Sequence, residues 1–528
     1  MNIDEAPAEP SAGPDLQEGI AASSLAEGGM IAGHVGEDAV LLARKGEEFF
    51  ALDAMCSHYG GPLAEGALMG ETVRCPWHHA CFSLRTGSAV AAPGMRPLRV
   101  FTTVREGDLV RVRPDARLVP PPPIARAEEP AHIVIVGAGA AGSFAASELR
   151  RAGFGGRVTL LTRESREPYD KPNLSKDYLA GRAQPEWIPL RGAPDYAGDR
   201  VDLRLGATVD RIDPSRCEVH LSHGDASLYD RLILAPGATP RRLDIPIDPA
   251  ARLFYLRTWA DADALRDATE SARSAVIIGS GFIGLEAAAS LRERGLEITV
   301  VGRDALPLQT VLGSRLGEFV RRTHQSHGVR FRLGRQAAEI RPGSVVLDDG
   351  TVETADVVIA AIGVEPDVRL ASDAGLAIDR GILVNSTLQT TSPEIFVAGD
   401  AARFPYARSG KAIRVEHWAV AGRQGQVAAR NAMGHREPYT AVPFFWSQHY
   451  DLVLASVGHA ENADDVEVFG SFEAHSAAAV YREGGRITAV VTLFRDDISL
   501  AIEAAMERDA SDDAILDLVR ASFAEGDG

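Results

Sequence analysis

The side chains best suited to chemistry stand in two short Cys–His pairs. Cys56 and His58 are separated by one residue, Cys75 and His78 by two, and sixteen residues lie between the pairs. Two thiolates on one iron and two imidazoles on another would hold a [2Fe–2S] centre. A tetrahedral zinc ion uses the same donor atoms. Both pairs lie in Gly/Pro-rich loops between predicted strands, with no helix to carry the second pair, so the pattern favours the iron–sulfur centre over zinc.

A glycine motif farther along the chain predicts a dinucleotide site. Gly137, Gly139 and Gly142 form a G-x-G-x-x-G pattern between an apolar strand and a predicted helix. These glycines permit a tight turn and a close approach of pyrophosphate to the helix N-terminus. Glu164 lies 22 residues beyond Gly142, near the end of the next predicted strand, where a carboxylate can hold an adenosine ribose.

The same layout recurs about 140 residues later, at Gly279, Gly281 and Gly284. One dinucleotide fold nested in another predicts two nucleotides, FAD in the outer fold and NADH or NADPH in the inner one. The alternative is that one copy is vestigial. Arg303 stands at the end of the following strand, where NAD-specific sites usually place an acid; it can meet a 2′-phosphate or be solvated, so the choice between NADH and NADPH stays open.

The cysteines separate this chain from disulfide reductases of similar layout. The chain has four, at positions 56, 75, 81 and 217. A disulfide reductase needs a redox-active pair beside the flavin, whereas Cys217 stands alone and Cys81 is predicted to be a small packing residue. The paired Cys–His motif is therefore the other redox centre that the sequence provides for flavin electrons.

Charge and hydropathy exclude several function classes. The 528 residues contain 55 Lys and Arg against 73 Asp and Glu, for a net charge of −18. This charge opposes binding to nucleic acid or to an anionic membrane. No apolar run approaches the ~20 residues of a transmembrane helix, and the acidic, Pro-rich start differs from a signal peptide. The sequence predicts a cytoplasmic protein.

The elements around these motifs predict a multidomain chain: a small all-β domain, two nested α/β dinucleotide-binding (Rossmann-like) domains, and a small α+β C-terminal domain. Four consecutive prolines, 120–123, indicate a polyproline linker that spans roughly 50 Å when extended, enough for the β domain to lie against the body or swing away. Residues 1 to about 15 are predicted to be a disordered tail. The predicted bounds are 16–114 for the β domain, 115–130 for the linker, 131–246 with 356–438 for the FAD-binding domain, 247–355 for the NAD(P)-binding domain, and 439–528 for the C-terminal domain.

Residues 25–112 resemble the Rieske [2Fe–2S] domain, with CSHYGGPL and CPWHHACF as its two cluster loops. The resemblance implies that Cys56, His58, Cys75 and His78 ligate the metal. Position 79 is usually Gly in the family but is His here. The alternatives are a side chain that crowds the cluster loop, a titrating neighbour of the cluster, or an exposed loop residue, and we expect the exposed residue. High-potential members of the family have a disulfide between the two cluster loops, and this sequence has no cysteines at the matching positions. The resemblance therefore implies a Rieske domain of the lower-potential, ferredoxin-like kind.

Most of residues 131–450 resemble the two-dinucleotide flavoprotein oxidoreductases, in particular the ferredoxin reductases of oxygenase systems and the Rieske-bearing apoptosis-inducing-factor-like proteins. The matching segments are PYDKPNLSK (168–176), LILAPGATPR (232–241), AIGVEPD (361–367), IFVAGDAARFP (395–405), RVEHWAVAGRQGQ (414–426) and FFWSQHYD (444–451). The resemblance implies cofactor contacts for Lys171, Lys176, Gly237, Gly363, Gly399, Asp400, Glu416, His417 and Trp446. It also implies that Glu286 contacts the nicotinamide amide, and that the catalytic set is Lys176, Glu286, Glu416 and Trp446.

The resulting hypothesis is an NAD(P)H-dependent flavin oxidoreductase. It passes electrons from NAD(P)H through FAD to the cluster and on to an external redox protein such as a terminal oxygenase. The alternative is an apoptosis-inducing-factor-like signalling flavoprotein that responds to NAD(P)H. We expect a monomer or homodimer. The sequence leaves open the acceptor, and whether the flavin reduces the cluster of its own chain or of another.

Overall fold

A computed structural model describes residues 13–122, 130–461, 463 and 465–524. Most of the predicted N-terminal tail, and residues 123–129 of the predicted linker, lie outside this range. Within the described residues, no helix is both long and apolar enough to cross a bilayer.

The N-terminal domain contains three small sheets, because short runs of β-branched and aromatic residues alternate with tight glycine turns. The Cys–His loops follow the fourth and sixth strands. The strands are β1 (Ile20–Ala21), β2 (Met30–Val35), β3 (Asp38–Lys45), β4 (Glu48–Asp53), β5 (Ala67–Met69), β6 (Thr72–Arg74), β7 (Cys81–Ser83), β8 (Ala89–Ala91), β9 (Val100–Phe101), β10 (Thr103–Glu106) and β11 (Leu109–Val112).

The first α/β unit is a parallel five-stranded sheet in the order β14-β13-β12-β18-β30. Its strands are near-continuous apolar runs, as expected for a sheet that helices cover. The first glycine motif lies at the carboxyl end of β12, where the strand order reverses, which is where such sheets bind ligands. The elements are β12 (His132–Val136), α1 (Ala140–Arg151), β13 (Arg157–Leu161), α2 (Asp177–Ala180), α3 (Ala193–Gly198), β14 (Val201–Arg204), β15 (Val209–Asp213), β16 (Glu218–Leu221), β17 (Ala226–Leu228), β18 (Arg231–Leu234) and β19 (Ala238–Pro240).

The second α/β unit is inserted into the first and repeats its design, with parallel strands in the order β20-β27-β21-β22-β23. The second glycine motif of the chain lies in this unit and joins β21 to α5. The elements are β20 (Leu253–Tyr255), α4 (Trp259–Glu270), β21 (Ser274–Ile278), α5 (Phe282–Glu293), β22 (Glu297–Gly302), α6 (Gln309–Ser326, interrupted at Gly313), β23 (Arg330–Leu333), β24 (Ala337–Arg341), β25 (Ser344–Leu347), β26 (Val352–Thr354) and β27 (Val357–Ala360).

The chain then returns to the first unit and completes it. The strand β28 pairs with β19, so the two crossings between the units run side by side, and α8 packs on α1. The elements are β28 (Val364–Pro366), α7 (Arg369–Asp373), β29 (Ile382–Leu383), β30 (Ile395–Val397), β31 (Ala402–Tyr406), β32 (Lys411–Ile413) and α8 (Trp418–Ala432).

The C-terminal domain is an antiparallel five-stranded sheet in the order β33-β34-β37-β36-β35, covered by two helices. Its first strand lies beside the interface between the α/β units and the N-terminal domain. The elements are β33 (Phe444–His449), β34 (Leu452–Gly458), β35 (Asp465–Ser471), β36 (Ser476–Glu483), β37 (Arg486–Leu493), α9 (Asp496–Glu507) and α10 (Asp512–Ala524).

Candidate functional site

The two Cys–His loops bring their four side chains together as a thiol pair and an imidazole pair. The Cys56 thiol lies beside that of Cys75, which lowers the pKa of Cys56, and the Nδ1 atoms of His58 and His78 lie 3.1 Å apart. Each loop is closed by backbone hydrogen bonds, such as the one that the Cys75 N–H donates to the carbonyl of Ala80 at 2.9 Å. In the described part of the chain, no three or more His, Cys, Asp or Glu side chains lie so that together they could hold a single metal ion.

This arrangement fits a [2Fe–2S] cluster held by two thiolates and two imidazoles. The His58 Nε2 atom is buried without a partner, and burial lowers the pKa of this imidazole to about 3, so it is in the neutral form that binds metals. A Cβ atom on Gly61 would lie 2.7 Å from the Cys75 sulfur, so only glycine leaves room beside the thiol.

A cavity of about 650 Å³ runs between the two α/β units and reaches the first strand of the C-terminal domain. It brings together most of the cofactor contacts expected from the sequence. The expected residues that line it are Gly137, Gly139, Glu164, Lys171, Lys176, Gly237, Gly281, Glu286, Gly363, Gly399, Asp400, Glu416, His417 and Trp446.

The remaining expected residues lie outside the cavity lining. Gly142, Gly279 and Gly284 shape the βα turns instead: a Cβ on Gly279 would overlap the carbonyl oxygen of Ala361. Arg303 extends into solvent with its side chain 80% exposed, 3.9 Å from Asp304.

The first βα turn leaves an open cradle at the N-terminus of α1. The backbone of Gly137 is left-handed (φ +99°), and a Cβ there would overlap the carbonyl oxygen of Ala235. A Cβ on Gly139 would meet only the Lys171 side chain, at 3.9 Å, so it would project into the cavity. No side chain caps this helix, and its first N–H groups are free to bind an anion. These residues fit the pyrophosphate of a bound dinucleotide.

Glu164 and Lys171 form a polar corner of the cavity together with Tyr169, which the sequence reasoning missed. The Lys171 Nζ atom lies 3.0 Å from one Glu164 oxygen, and the Tyr169 hydroxyl donates to the other at 2.5 Å. Burial lowers the pKa of Lys171 while the Glu164 carboxylate opposes that shift. A second missed residue, Arg257, lies 2.7 Å from Asp400, and no local motif marks it.

Glu286 is the most tightly held carboxylate of the cavity. Its side chain is 3% exposed and pairs with Lys176 at 2.8 Å. The hydroxyls of Ser175 and Ser447 donate to its two oxygens at 2.5 and 2.6 Å. These partners come from two regions of the chain, and Glu286 itself lies on α5, so the carboxylate is fixed where the two α/β units and the C-terminal domain meet.

Trp446 connects the cavity to the Cys–His loops. Its indole lines the cavity, and its ring centroid lies 4.1 Å from that of His78 and 6.1 Å from that of His58. Nearby, the Asn173 amide donates to the Tyr59 hydroxyl at 3.1 Å. The imidazole side of the cluster site therefore faces the cavity.

His79 is not the exposed loop residue expected from the sequence. It is completely buried, and its ring stacks on Phe444 with centroids 3.8 Å apart. The loop tip is covered because the N-terminal domain packs against the other domains, which the sequence around His79 does not reveal.

Comparison with known proteins agrees with this geometry. Residues 131–425 match the family described as pyridine nucleotide-disulphide oxidoreductase, residues 17–102 the Rieske [2Fe-2S] domain, and residues 444–517 the reductase C-terminal domain. The fold and the site thus define a flavin oxidoreductase that uses a nicotinamide nucleotide and carries a Rieske cluster domain. The chain belongs to the pyridine nucleotide-disulphide oxidoreductase family.

Two kinds of relative match this chain. Apoptosis-inducing factor 3 of Homo sapiens is 33% identical over 493 residues, which cover 90% of this chain and 81% of the relative. Putidaredoxin reductase CamA of Pseudomonas putida is 36% identical over 69% of this chain and 89% of its own length. The crystal structure of the covalent putidaredoxin reductase–putidaredoxin complex matches with a TM-score of 0.69 and 34% identity, over 74% of this chain and 98% of the other.

Proposed function

We propose that this protein oxidises NAD(P)H and delivers the electrons through its own Rieske cluster to an external redox protein. When bound, FAD accepts a hydride from the nicotinamide and can release electrons singly to a [2Fe–2S] cluster. The observation that carries the proposal is the position of Trp446, which lines the cofactor cavity on one side and contacts His78 on the other.

The protein's own contribution is to bind and orient. In our proposal, Glu286 and Lys176 form a fixed charge pair beside the nicotinamide, with Ser175 and Ser447 holding the carboxylate. Such positioning matters because hydride transfer requires the reacting atoms to be about 3–3.5 Å apart.

We assign the residues expected from the sequence to FAD, to the nicotinamide nucleotide or to the cluster. The residues proposed for FAD are Gly137, Gly139, Gly142, Glu164, Lys171, Lys176, Gly237, Gly363, Gly399, Asp400, Glu416, His417 and Trp446. Those proposed for the nicotinamide nucleotide are Gly279, Gly281, Gly284, Glu286 and Arg303, and those for the cluster are Cys56, His58, Cys75 and His78.

Replacing Trp446 by Leu tests the connection. Stopped-flow spectra with NADH should show cluster reduction slowed by about tenfold relative to flavin reduction in the same variant, which corresponds to about 1.4 kcal/mol in the barrier. Trp187→Leu is the matched control, because this exposed indole lies outside the cavity lining. Equal cluster reduction in Trp446→Leu and wild-type protein would contradict the proposed route.

Protein concentration distinguishes transfer within a chain from transfer between molecules. The contact between Trp446 and His78 lies within one chain, so we expect a cluster-reduction rate that is independent of protein concentration. A rate that rises in proportion to concentration would show that separate molecules exchange electrons.

The external acceptor is proposed from the relatives. Putidaredoxin reductase is crystallised with putidaredoxin, a separate redox protein. By analogy, we propose a redox protein such as a terminal oxygenase as the acceptor.

An NAD(P)H-responsive signalling role is the second candidate. It is favoured by the match to apoptosis-inducing factor 3, which covers 90% of this chain and therefore has to extend into the Rieske region. Turnover with a one-electron acceptor decides between the two: the reductase gives sustained turnover, whereas the signalling protein gives a long-lived reduced complex.

A further inference from the structure

His79 occupies a backbone conformation that glycine adopts more easily. Its φ is +57°, in the left-handed region that disfavours side chains with a Cβ. It directly follows His78, whose imidazole belongs to the cluster site. The backbone strain of a bulky residue at this position has to be offset by contacts of its side chain.

The ring contacts of His79 all come from the C-terminal domain. Its Nδ1–H donates to Glu503 at 2.7 Å, and its Nε2 lies 3.3 Å from the Ser499 hydroxyl. Phe444 stacks on the imidazole with an interplanar angle of 17°. The domain that carries the cluster is thereby bound to a different domain one residue beyond the cluster site.

Glu503 joins three domains in one buried cluster of charges. Its carboxylate is completely buried and pairs with Arg74 of the Rieske domain at 2.7 Å and with Arg423 of α8 at 2.6 Å. Arg423 also donates to the backbone carbonyl of His79, at 3.3 Å. A buried carboxylate held by two arginines and an imidazole restricts how the domains can pack, because an unpaired charge there would be costly.

The strand β33 supports both histidines. Phe444 and Trp446 are two residues apart, so their side chains lie on the same face of the strand. Phe444 stacks on His79, and Trp446 contacts His78. Because His78 and His79 are adjacent in the loop, the stacking of His79 on Phe444 also holds His78 in contact with Trp446.

We propose that His79 is a positioning residue that holds the cluster loop against β33, so that the cluster stays beside the cofactor cavity during turnover. This inference rests on the proposed function. Oxidation of one NAD(P)H to NAD(P)⁺ releases one proton and two electrons. The cluster would carry these electrons one at a time, and the external redox protein would reoxidise it after each one.

His79→Gly tests the proposal in the full-length holoprotein, because glycine suits the left-handed backbone. His475→Gly is the matched control: His475 is also left-handed (φ +53°) and stacks on Phe494, but it lies in an exposed turn. We expect both variants to keep full iron and FAD and to reduce flavin at the wild-type rate. Cluster reduction should slow about tenfold in His79→Gly only.

Two further readouts separate positioning from other roles. The cluster's EPR spectrum and midpoint potential should be unchanged in His79→Gly, while small-angle X-ray scattering should show a larger radius of gyration than for His475→Gly. His79→Asn, which tolerates the left-handed backbone and can donate to Glu503, should recover part of the rate.

The outcomes are distinguishable. An unchanged cluster-reduction rate in His79→Gly would overturn the positioning role while leaving the proposed function intact. A shifted cluster potential with an unchanged radius of gyration would also overturn it, because His79 would then act on the ligands. Failure of NADH to reduce the wild-type cluster would refute the proposed function itself.

Discussion

At the scale of single residues, Asp170 is a buried carboxyl group beside the cofactor cavity. It directly precedes Lys171, and both of its carboxylate oxygens are buried without a hydrogen-bond partner. Burial raises the pKa of Asp170 to about 7, Lys176 opposes the shift, and the charge of Asp177 adds to it. The group is therefore largely protonated in the folded protein under mildly acidic conditions.

This raised pKa predicts that Asp170→Asn increases the free energy of unfolding by an amount that depends on pH. The ordinary pKa of 3.8 rises to about 7 on folding, so the stabilising contribution of the protonated group is complete below about pH 4 and is lost as the pH rises towards 7. The neutral amide should therefore stabilise the protein by up to about 4 kcal/mol at pH 8, and by less at pH 5. Urea unfolding at both pH values measures this difference, and a gain that is equal at the two pH values would contradict the assignment.

At the scale of elements, the two βα turns use their glycines in different ways. The first glycine of each motif is left-handed, and a Cβ there would overlap a backbone carbonyl of the neighbouring crossing segment. The second glycine faces the cavity: nothing lies within 4 Å of a Cβ on Gly281, and only the Lys171 side chain meets one on Gly139. The first position therefore serves the fold, and we propose that the second serves the nucleotide.

Alanine substitutions separate these two roles. Gly137→Ala should prevent folding of the first α/β unit, because backbone atoms cannot move aside. Gly139→Ala should fold and lose FAD affinity, whereas Gly281→Ala should keep FAD and raise the KM for NAD(P)H, by about tenfold or about 1.4 kcal/mol in each case. Flavin content, circular dichroism and steady-state kinetics measure these effects. A folded Gly139→Ala protein with unchanged FAD affinity would show that the cradle does not hold the pyrophosphate.

At the scale of the whole molecule, the Rieske domain packs against the rest of the chain. Ala92 belongs to the hydrophobic core of the first α/β unit, and its N–H donates to the Gln426 side chain at 3.0 Å. The predicted linker allows the Rieske domain either to lie against the rest of the chain or to swing away. In the structure it lies against the rest of the chain, and His78 contacts Trp446.

This packing predicts the effect of deleting residues 1–115. The deletion removes Arg74 and His79 from Glu503 and exposes the apolar surface of the first α/β unit that Ala92 covers, so the remaining chain should bind FAD but melt several degrees lower. Differential scanning calorimetry measures the shift. Arg85→Ala is the control, because Arg85 pairs with Glu48 and Glu71 on the exposed surface of the Rieske domain. An unchanged melting temperature after the deletion would show that the domains are energetically independent.

The sequence alone determined the class of protein. The cluster loops and glycine turns are contiguous motifs whose function depends on local spacing, so they identify the Rieske domain, the two dinucleotide folds and their cofactors. The individual cofactor contacts and the domain bounds stay predictions.

The tertiary structure decided which distant residues meet. His79 and Glu503 are 424 residues apart, Arg257 and Asp400 are 143 apart, and Trp446 reaches His78 from another domain. Local sequence patterns set the conformation of each loop and strand, but not the partner that a side chain meets when separately folded surfaces pack together. For this reason His79, expected to be exposed, is buried, and the route from cavity to cluster became visible only in three dimensions.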